Sequence, residues 1–212
     1  TSSTYHINKT KLAEEHGYRC IHIFDWDDVT KIVDSLQPKQ PVNINDTEIY
    51  LLKTDVARTF IDRISVNSYY ARPNSLCFGL VRNKEEIISM ISIGKPRHNK
   101  CYDAEIYNIL TDPKYRIDCG LAKLFSFITA SYGIDNIVSY SDVAKEDPSI
   151  YEELNMRLSR YNLPKLWWSR GNKRMSSDSV YNKKIARDNM IKDGWLPIYD
   201  CGQRVYTFNS KR

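Results

Sequence analysis

The chain has 212 residues and a mass of 24.8 kDa, enough for one sizeable hydrophobic core or a core with a small appendage. Its hydrophobic content of 42% argues against wholesale disorder, and its apolar runs are too short to cross a bilayer. The net charge of +5 is unevenly distributed, because residues 156–212 carry thirteen Lys or Arg against four Asp or Glu. A strongly basic last quarter is typical of a polyanion-binding protein, although a solvated surface that aids solubility is the alternative.

Cysteine usage and the N-terminal residues indicate the compartment. Five cysteines stand at positions 20, 77, 101, 119 and 201, and no two of them have the spacing of a metal clip. We therefore expect free thiols in a reducing compartment rather than a disulfide framework. The first residues have neither the basic nor the apolar region of a secretory signal. Together these features predict a soluble cytoplasmic protein that has no membrane partner.

The predicted elements begin with a small appendage, residues 1–38, of the form helix–strand–helix. A helix is expected around Lys9–His16, a short apolar strand at Tyr18–Phe24 and a second helix at about Asp27–Leu36. Two prolines follow, so residues 39–47 are predicted to be a linker.

Residues 48–212 are predicted to form the main domain. Its expected elements are strand Glu48–Leu52, helix Asp55–Ile64, strands Leu76–Arg82 and Glu86–Ile93 with a tight hairpin between them, strand Glu105–Leu110, helix Gly120–Ser131, strand Asn136–Tyr140 and helix Ser149–Asn155. The basic, aromatic extension that follows should contain a helix near Val180–Lys192 and strands at Leu196–Tyr199 and Arg204–Phe208. This order predicts an α/β (α+β) fold.

A basic loop after the second hairpin strand and the basic tail carry the side chains that we predict to contact nucleic acid. Cationic groups there suit phosphates, and interleaved aromatic rings can stack on exposed bases. These residues are Lys95, Arg97 and His98 in the loop, and Trp168, Arg170, Lys173 and Arg174 in the tail. A solvated hairpin end is the alternative for the loop, and we expect one of the two adjacent tryptophans to cover the sheet instead.

Acidic residues at strand ends are candidates for catalysis. Asp142 closes a predicted strand, at the position where α/β folds place functional groups. Asp103 and Glu105 can orient a substrate amine. Together with His98 they offer three ligands at irregular spacing, which does not predict a metal site.

Two strings, Arg116–Leu124 (RIDCGLAKL) and Ser149–Met156 (SIYEELNM), resemble the GNAT N-acyltransferase superfamily when they are taken with the element order. The resemblance implies a mixed, mostly antiparallel sheet flanked by helices. It also implies acyl-CoA (acetyl-CoA) as donor, with its pyrophosphate held by backbone N–H groups where a helix begins, and Tyr151 as the acid that protonates the thiolate. The implied cofactor-binding residues are Arg116, Cys119, Gly120, Leu121, Ala122 and Lys123.

This loop departs from the usual GNAT pattern. The spacing from Arg116 to Gly120 is one residue longer, and Cys119 and Leu121 replace residues that are often glycine. An ordinary helix start at Gly120 and a packed core tyrosine at position 151 therefore stay open as alternatives.

Several further strings, in the right order, look like the C-terminal domain of phage Hef-like homing-endonuclease proteins, itself similar to the Mom-type DNA-modification enzymes. They are Asn83–Arg97, Tyr102–Ile106, Ser139–Asp142, Trp168–Arg174 and Tyr199–Tyr206. Residues 5–12 and 17–24 are similar to the tail of a Vsr-like nuclease domain. The upstream carboxylates that would hold a nuclease metal are not in this chain, so a remnant is expected rather than a nuclease. The resemblance implies that the protein acts in the cytoplasm of an infected bacterial host cell.

The sequence therefore leaves three hypotheses about function. The first is a phage-type GNAT-fold enzyme that transfers an acyl group to an amine of a nucleic acid, with a DNA base as the expected target. The second is a non-catalytic DNA-binding module derived from a homing endonuclease. The third is a residual endonuclease.

Overall fold

The computed structural model describes residues 2–66 and 75–211. The chain divides into two compact units. The first unit comprises Thr1–Asp28, Ser141–Asp147 and Arg160–Arg204, and the second comprises Val29–Tyr140, Pro148–Ser159 and Val205–Arg212. The predicted boundaries, at residues 38 and 47, do not follow this division, and the appendage of residues 1–38 with its linker stays a prediction.

Helices and strands are interspersed along the whole described chain. In chain order, the helices are α1 (Tyr5–Glu15), α2 (Val29–Ser35), α3 (Thr54–Ile64), α4 (Gly120–Tyr132), α5 (Ser149–Glu153), α6 (Ser177–Asn182) and α7 (Arg187–Lys192). The strands are β1 (Gln40–Pro41), β2 (Thr47–Leu51), β3 (Leu76–Arg82), β4 (Glu86–Gly94), β5 (Ala104–Thr111), β6 (Tyr115–Arg116), β7 (Asn136–Asp142), β8 (Arg157–Asn162), β9 (Leu166–Arg170), β10 (Lys173–Ser176), β11 (Leu196–Tyr199) and β12 (Gln203–Asn209). In the part of the chain that the structure describes, no helix has the length and apolar character needed to cross a membrane.

A seven-stranded sheet with the order β2-β3-β4-β5-β7-β12-β8 forms the centre of the fold. Strands β2 to β5 pair antiparallel with their neighbours, whereas β5 and β7 pair parallel. The connection between these two parallel strands contains α4, as a parallel crossover requires. The predicted fold class, a mixed and mostly antiparallel sheet flanked by helices, is confirmed.

Helices cover both faces of this sheet because the side chains of its strands alternate. On β3, Phe78 faces the core cluster that contains Leu124 and Ile128 of α4, and Cys77 faces the cluster that contains Phe60 of α3. The buried positions of α3 recur at helical spacing, with Asp55 in its first turn and Arg63 in its last, as the helix dipole favours.

The hairpin between β3 and β4 is formed as its sequence predicts. Asn83 and Lys84 both have positive φ, 52° and 65°, and the amide of Glu85 donates to the carbonyl of Arg82. Asparagine tolerates the left-handed region better than most residues, so the turn follows from local chemistry.

The first unit has its own small sheet, with the order β10-β9-β11. One core cluster packs Trp168 against Val180 and Met190, and another brings together residues from both ends of the chain, including Phe24 and Cys201.

Two sequence predictions within this unit are wrong, and two of its strands were not predicted. Residues Tyr18–Phe24 form no strand, and the helix near Val180–Lys192 is two helices separated by a turn in which Lys184 has a φ of 54°. Strands β9 and β10 lie in a segment where no strand was predicted.

Candidate functional site

The parallel ladder between β5 and β7 is short. It covers three pairs, ending at Ile106 opposite Ser139, while β5 itself continues to Thr111. Beyond Ile106 the edge of β5 that faces β7 is no longer part of this ladder. Backbone groups at such an opening can pair with an extended chain that carries amides.

A β-bulge lies at the same place. In the antiparallel pair of β4 and β5, Ser92 is opposite Asn108 but Ile93 is opposite Ile106, so Tyr107 is the extra residue. The side-chain amide of Asn108 donates to Ser92 Oγ over 2.8 Å and fixes this irregular register. A bulge turns backbone N–H groups away from the regular ladder, and bulges are common beside active sites.

The start of α4 is held in an unusual conformation. Cys119, the residue before the helix, is exposed and left-handed, with a φ of 59°. A Cβ on Gly120 would lie 2.7 Å from Cγ2 of Ile117, so glycine is needed here for the loop to pack on itself. Leu121 is buried in the core. Arg116 is exposed and forms a 3.4 Å ion pair with Asp118.

A carboxylate already lies on the first turn of α4. The Ala122 amide donates to Glu153 Oε1 of α5 over 3.2 Å. The Lys123 ammonium donates to the carbonyls of Ile44 and Thr47, at 3.2 and 3.1 Å. The Glu153 contact shows that this helix start accepts an anion, as unpaired first-turn amides do. It also means that a phosphate group would compete with Glu153.

Tyr151 lies on α5, two residues before Glu153, so the structure brings the two predicted parts of the acyl-CoA site together. Its ring is parallel to that of Tyr206, with centroids 4.0 Å apart, and the residue is only 3% exposed. The ring is packed in the core of the second unit, which agrees with the alternative of a packed core tyrosine, and the role of Tyr151 as the acid stays a prediction.

The predicted residues Arg97, His98 and Asp103 lie near the amino end of β5, the end opposite to the start of α4. Arg97 makes an ion pair with fully buried Glu105, in which Nε and Nη2 both contact Oε1, and its backbone amide donates to Oε2 over 2.7 Å. Such pairing leaves Arg97 little capacity for a phosphate. His98 is exposed and packs edge-on against Tyr140 at 5.8 Å.

Asp103 has a structural contact as well. Its carboxylate accepts the amides of Asp135 and Asn136, at 3.2 and 2.9 Å, and so fixes the chain as it enters β7. Lys95 is exposed, and its carbonyl accepts the Tyr107 hydroxyl. Since Asp103 and Tyr151 are at opposite ends of the parallel strands, these two catalytic candidates are not part of one site.

The tail residues are divided between core and surface. Trp168 is 3% exposed and cannot stack on a base, which corrects that prediction. Arg170 and Lys173 are paired across the exposed β9–β10 hairpin, with Gly171 left-handed in the turn. Arg174 is exposed too, and its guanidinium lies 4.8 Å from the ring of Trp167.

Asp142 belongs to a buried charge cluster in the first unit. Burial raises the pKa of its carboxyl, and Lys145 and the Ala144 amide oppose that rise. The Lys145 ammonium lies 2.8 Å from Asp27 Oδ1. Asp142 is half-buried beside this ion pair, and a catalytic role for it stays a prediction.

Two residues of the candidate site were missed in the sequence. Glu153 lies inside the string that carries the GNAT resemblance, but its contact with Ala122 spans 31 residues. Tyr107 lies in a predicted strand, and a bulge has no sequence signal apart from the pairing that creates it.

Neither a protein-family model nor a curated protein matches the sequence. Similar solved structures include a ribosomal-protein-S5-alanine acetyltransferase from Vibrio fischeri, with 9% identity, 78% of this chain and 93% of that chain covered, and a TM-score of 0.48. A spermidine/spermine N-acetyltransferase from Vibrio cholerae has 12% identity, coverage of 79% and 95%, and a TM-score of 0.48. An N-acetyltransferase from Staphylococcus aureus Mu50 has 11% identity, coverage of 78% and 99%, and a TM-score of 0.47. At these identities and scores the likeness does not establish the family of this chain.

Proposed function

We propose that this chain is an N-acyltransferase that binds an acyl-CoA thioester beside β5 and transfers the acyl group to an amine of a nucleic acid, with a DNA base as the first candidate. The observation that carries the proposal is the coincidence of two irregularities in β5. The ladder to β7 ends at Ile106, and the bulge at Tyr107 comes immediately after it.

The ends of the donor match different parts of this region chemically. The pantetheine arm of CoA is extended and contains amides, so it can pair with the edge of β5 as an added strand does. The pyrophosphate is an anion and suits the first turn of α4, where Glu153 now accepts the Ala122 amide. The donor supplies an activated acyl carbon.

The chain's own groups would then act on the thioester. Backbone N–H groups at the bulge beside Tyr107 would donate to the carbonyl oxygen as charge develops on it. The substrate amine attacks the carbonyl carbon, the C–S bond breaks, and the sulfur leaves as a thiolate. The Tyr151 phenol gives that thiolate a proton, and the amine loses its own proton to solvent.

The nucleic-acid part of the proposal is supported by the first unit. Its exposed β9–β10 hairpin carries Arg170 and Lys173, within a tail that has thirteen basic residues against four acidic ones. Cations on an exposed hairpin suit phosphate contacts, which position a protein without reading sequence. A base amine in a duplex would have to be extruded before it could react.

A non-catalytic DNA-binding module is the second candidate, and two observations favour it. Tyr151 is buried, and the carboxylate of Glu153 occupies an amide that a pyrophosphate would need. A chain with these contacts could keep the fold and bind nucleic acid without binding a donor.

Binding of CoA to the Glu153→Ala variant separates the two candidates. Removing this carboxylate frees the Ala122 amide and removes a negative charge from the helix start, so we expect CoA to bind about five- to tenfold more tightly than to the unchanged chain. Isothermal titration calorimetry measures this change.

Glu152→Ala is the matched control, since Glu152 is the exposed neighbour in the same helix. It removes the same charge without touching α4, and we expect it to leave the affinity for CoA almost unchanged. If neither the unchanged chain nor Glu153→Ala binds CoA, the acyltransferase proposal is wrong and the binding module stands.

Salt dependence tests the hairpin as a phosphate-binding surface. Replacing Arg170 and Lys173 with alanine should weaken duplex binding and reduce the slope of log affinity against log salt by about two, since each phosphate contact contributes roughly 0.9. Fluorescence anisotropy at several salt concentrations gives the slope.

The control for this measurement replaces Lys39 and Lys53, two exposed lysines of the second unit, with alanine. It removes the same net charge and should change the slope much less. Equal slopes for the hairpin variant and the unchanged chain would show that Arg170 and Lys173 do not contact phosphates.

A further inference from the structure

Two histidines and a cysteine from distant parts of the chain meet in the first unit. The candidate ligand atoms of His6, His22 and Cys201 all lie within 4.8 Å of one another. A second sulfur lies beside this group of three, because Cys20 Sγ is 3.4 Å from His22 Nε2. Nitrogen and sulfur donors of this kind, two of each, form one of the common structural zinc sites.

The surrounding contacts orient these side chains. His6 projects from α1 and packs edge-on against the His22 ring, with centroids 5.3 Å apart. The His22 backbone amide donates to the carbonyl of Ala144 over 2.9 Å, and Nε2 lies 2.8 Å from the hydroxyl of buried Thr10. Because Nε2 is also the atom that lies 3.4 Å from Cys20 Sγ, a metal bound there would replace the hydrogen bond to Thr10.

The chemistry of the donors suits zinc, which binds neutral imidazoles and thiolates. A zinc ion would therefore displace the thiol protons of Cys20 and Cys201 when it binds.

We propose that His6, His22, Cys20 and Cys201 hold a zinc ion as a structural site. Two imidazoles and two thiolates favour zinc over magnesium or calcium, which take oxygen ligands. The ligands come from residues 6–22 and from position 201, so the ion would join the two ends of the chain within this unit. The site is independent of acyl transfer and would exist in an inactive chain as well.

Metal content of the purified full-length chain is the first test. After dialysis, elemental mass spectrometry of the protein should find about one zinc ion per chain. Cobalt, which replaces zinc in such sites, should give the intense visible bands of a tetrahedral complex and a sulfur-to-cobalt charge-transfer band in the near ultraviolet. A chain that retains no zinc and gives neither signal would overturn the proposal.

Single substitutions then assign the ligands. Cys201→Ser and His22→Asn should each lower the zinc content at least about tenfold, since even partners outside the ligand set change affinity by 10–100-fold. Cys20→Ser should reduce the charge-transfer band relative to the tetrahedral bands.

The controls are His16→Asn and Cys101→Ser, the same chemical changes at exposed positions, and both should keep the metal. Zinc retained in full by both Cys201→Ser and His22→Asn would also overturn the proposal. If these two variants fail to fold, the cobalt spectrum of the unchanged chain decides, because a spectrum without the charge-transfer band excludes a thiolate site.

Discussion

Replacing Lys145 with methionine is expected to lower the free energy of unfolding by about 3–5 kcal/mol, the usual loss when one partner of a buried ion pair is removed. The side chains of Lys145 and Asp27 are 5% and 4% exposed, and their charged atoms are 2.8 Å apart. Methionine keeps much of the length and the packing of lysine. It leaves Asp27 and the neighbouring Asp142 without this buried positive charge.

Urea titration monitored by circular dichroism measures this loss. Lys165→Met is the matched control, because Lys165 is an exposed lysine of the same unit, and it should change stability by about 0.5 kcal/mol or less. Adding Asp27→Asn to Lys145→Met should recover part of the loss, since the amide is neutral and its oxygen can still accept the Phe24 amide. A loss of about 1 kcal/mol or less for Lys145→Met would contradict a buried pair here.

The loss should also depend on pH in a defined direction. Burial raises the folded-state pKa of Asp142 above its unfolded value, so the folded chain holds this proton at a pH where the unfolded chain has released it. The free energy of unfolding therefore falls as the pH rises from the unfolded pKa of this group towards its folded pKa. Without Lys145, which opposes this shift, the cost is larger, so the deficit of Lys145→Met should shrink as the pH falls through the acidic range.

Local sequence patterns account well for the central elements. The α3 and α4 helices begin and end close to their predicted positions, because each has a buried face at helical spacing and α4 ends at a left-handed Gly133. The β3–β4 hairpin follows from Asn83, and the order of these elements predicts the sheet. These features depend on residues that are neighbours in sequence.

The features that sequence patterns miss depend on distant partners. The apolar run Tyr18–Phe24 has the alternation of a strand, yet Phe24 is buried against other elements of the first unit and forms no ladder. Arg97 lies in a loop whose basic composition is typical of phosphate binding, but the carboxylate of Glu105 neutralises its charge. Both outcomes are decided by tertiary packing, which local composition does not record.

The candidate site combines features that the sequence predicts with features that only strand pairing creates. The sequence places a helix start at Gly120 and a tyrosine at position 151, and the contact between Ala122 and Glu153 brings these two segments together. The bulge at Tyr107 and the early end of the ladder at Ile106 arise from strand pairing. Those two irregularities are what the proposed donor needs, and no residue type in β5 indicates them.

Replacing Tyr151 with phenylalanine should have the largest effect on activity, if acyl transfer proceeds as proposed. The change keeps the ring that stacks on Tyr206 and removes only the hydroxyl, so the free energy of unfolding should change by about 1 kcal/mol or less. Loss of the acid that protonates the thiolate should reduce the rate of transfer by roughly ten- to a thousandfold. Release of free CoA thiol, with DNA as acceptor, gives the rate.

Tyr206→Phe is the matched control for this experiment, because it removes a hydroxyl from the other ring of the same stacked pair. If Tyr151 is the acid, Tyr206→Phe should retain most of the activity while losing a similar amount of stability. Equal rates for Tyr151→Phe and the unchanged chain would remove the phenol from the mechanism without removing the transferase, because the bulge and the start of α4 do not depend on it. If the Tyr151→Phe and Tyr206→Phe variants both bind CoA and keep the rate of the unchanged chain, solvent protonates the thiolate. Tyr151 is then a packing residue of the core.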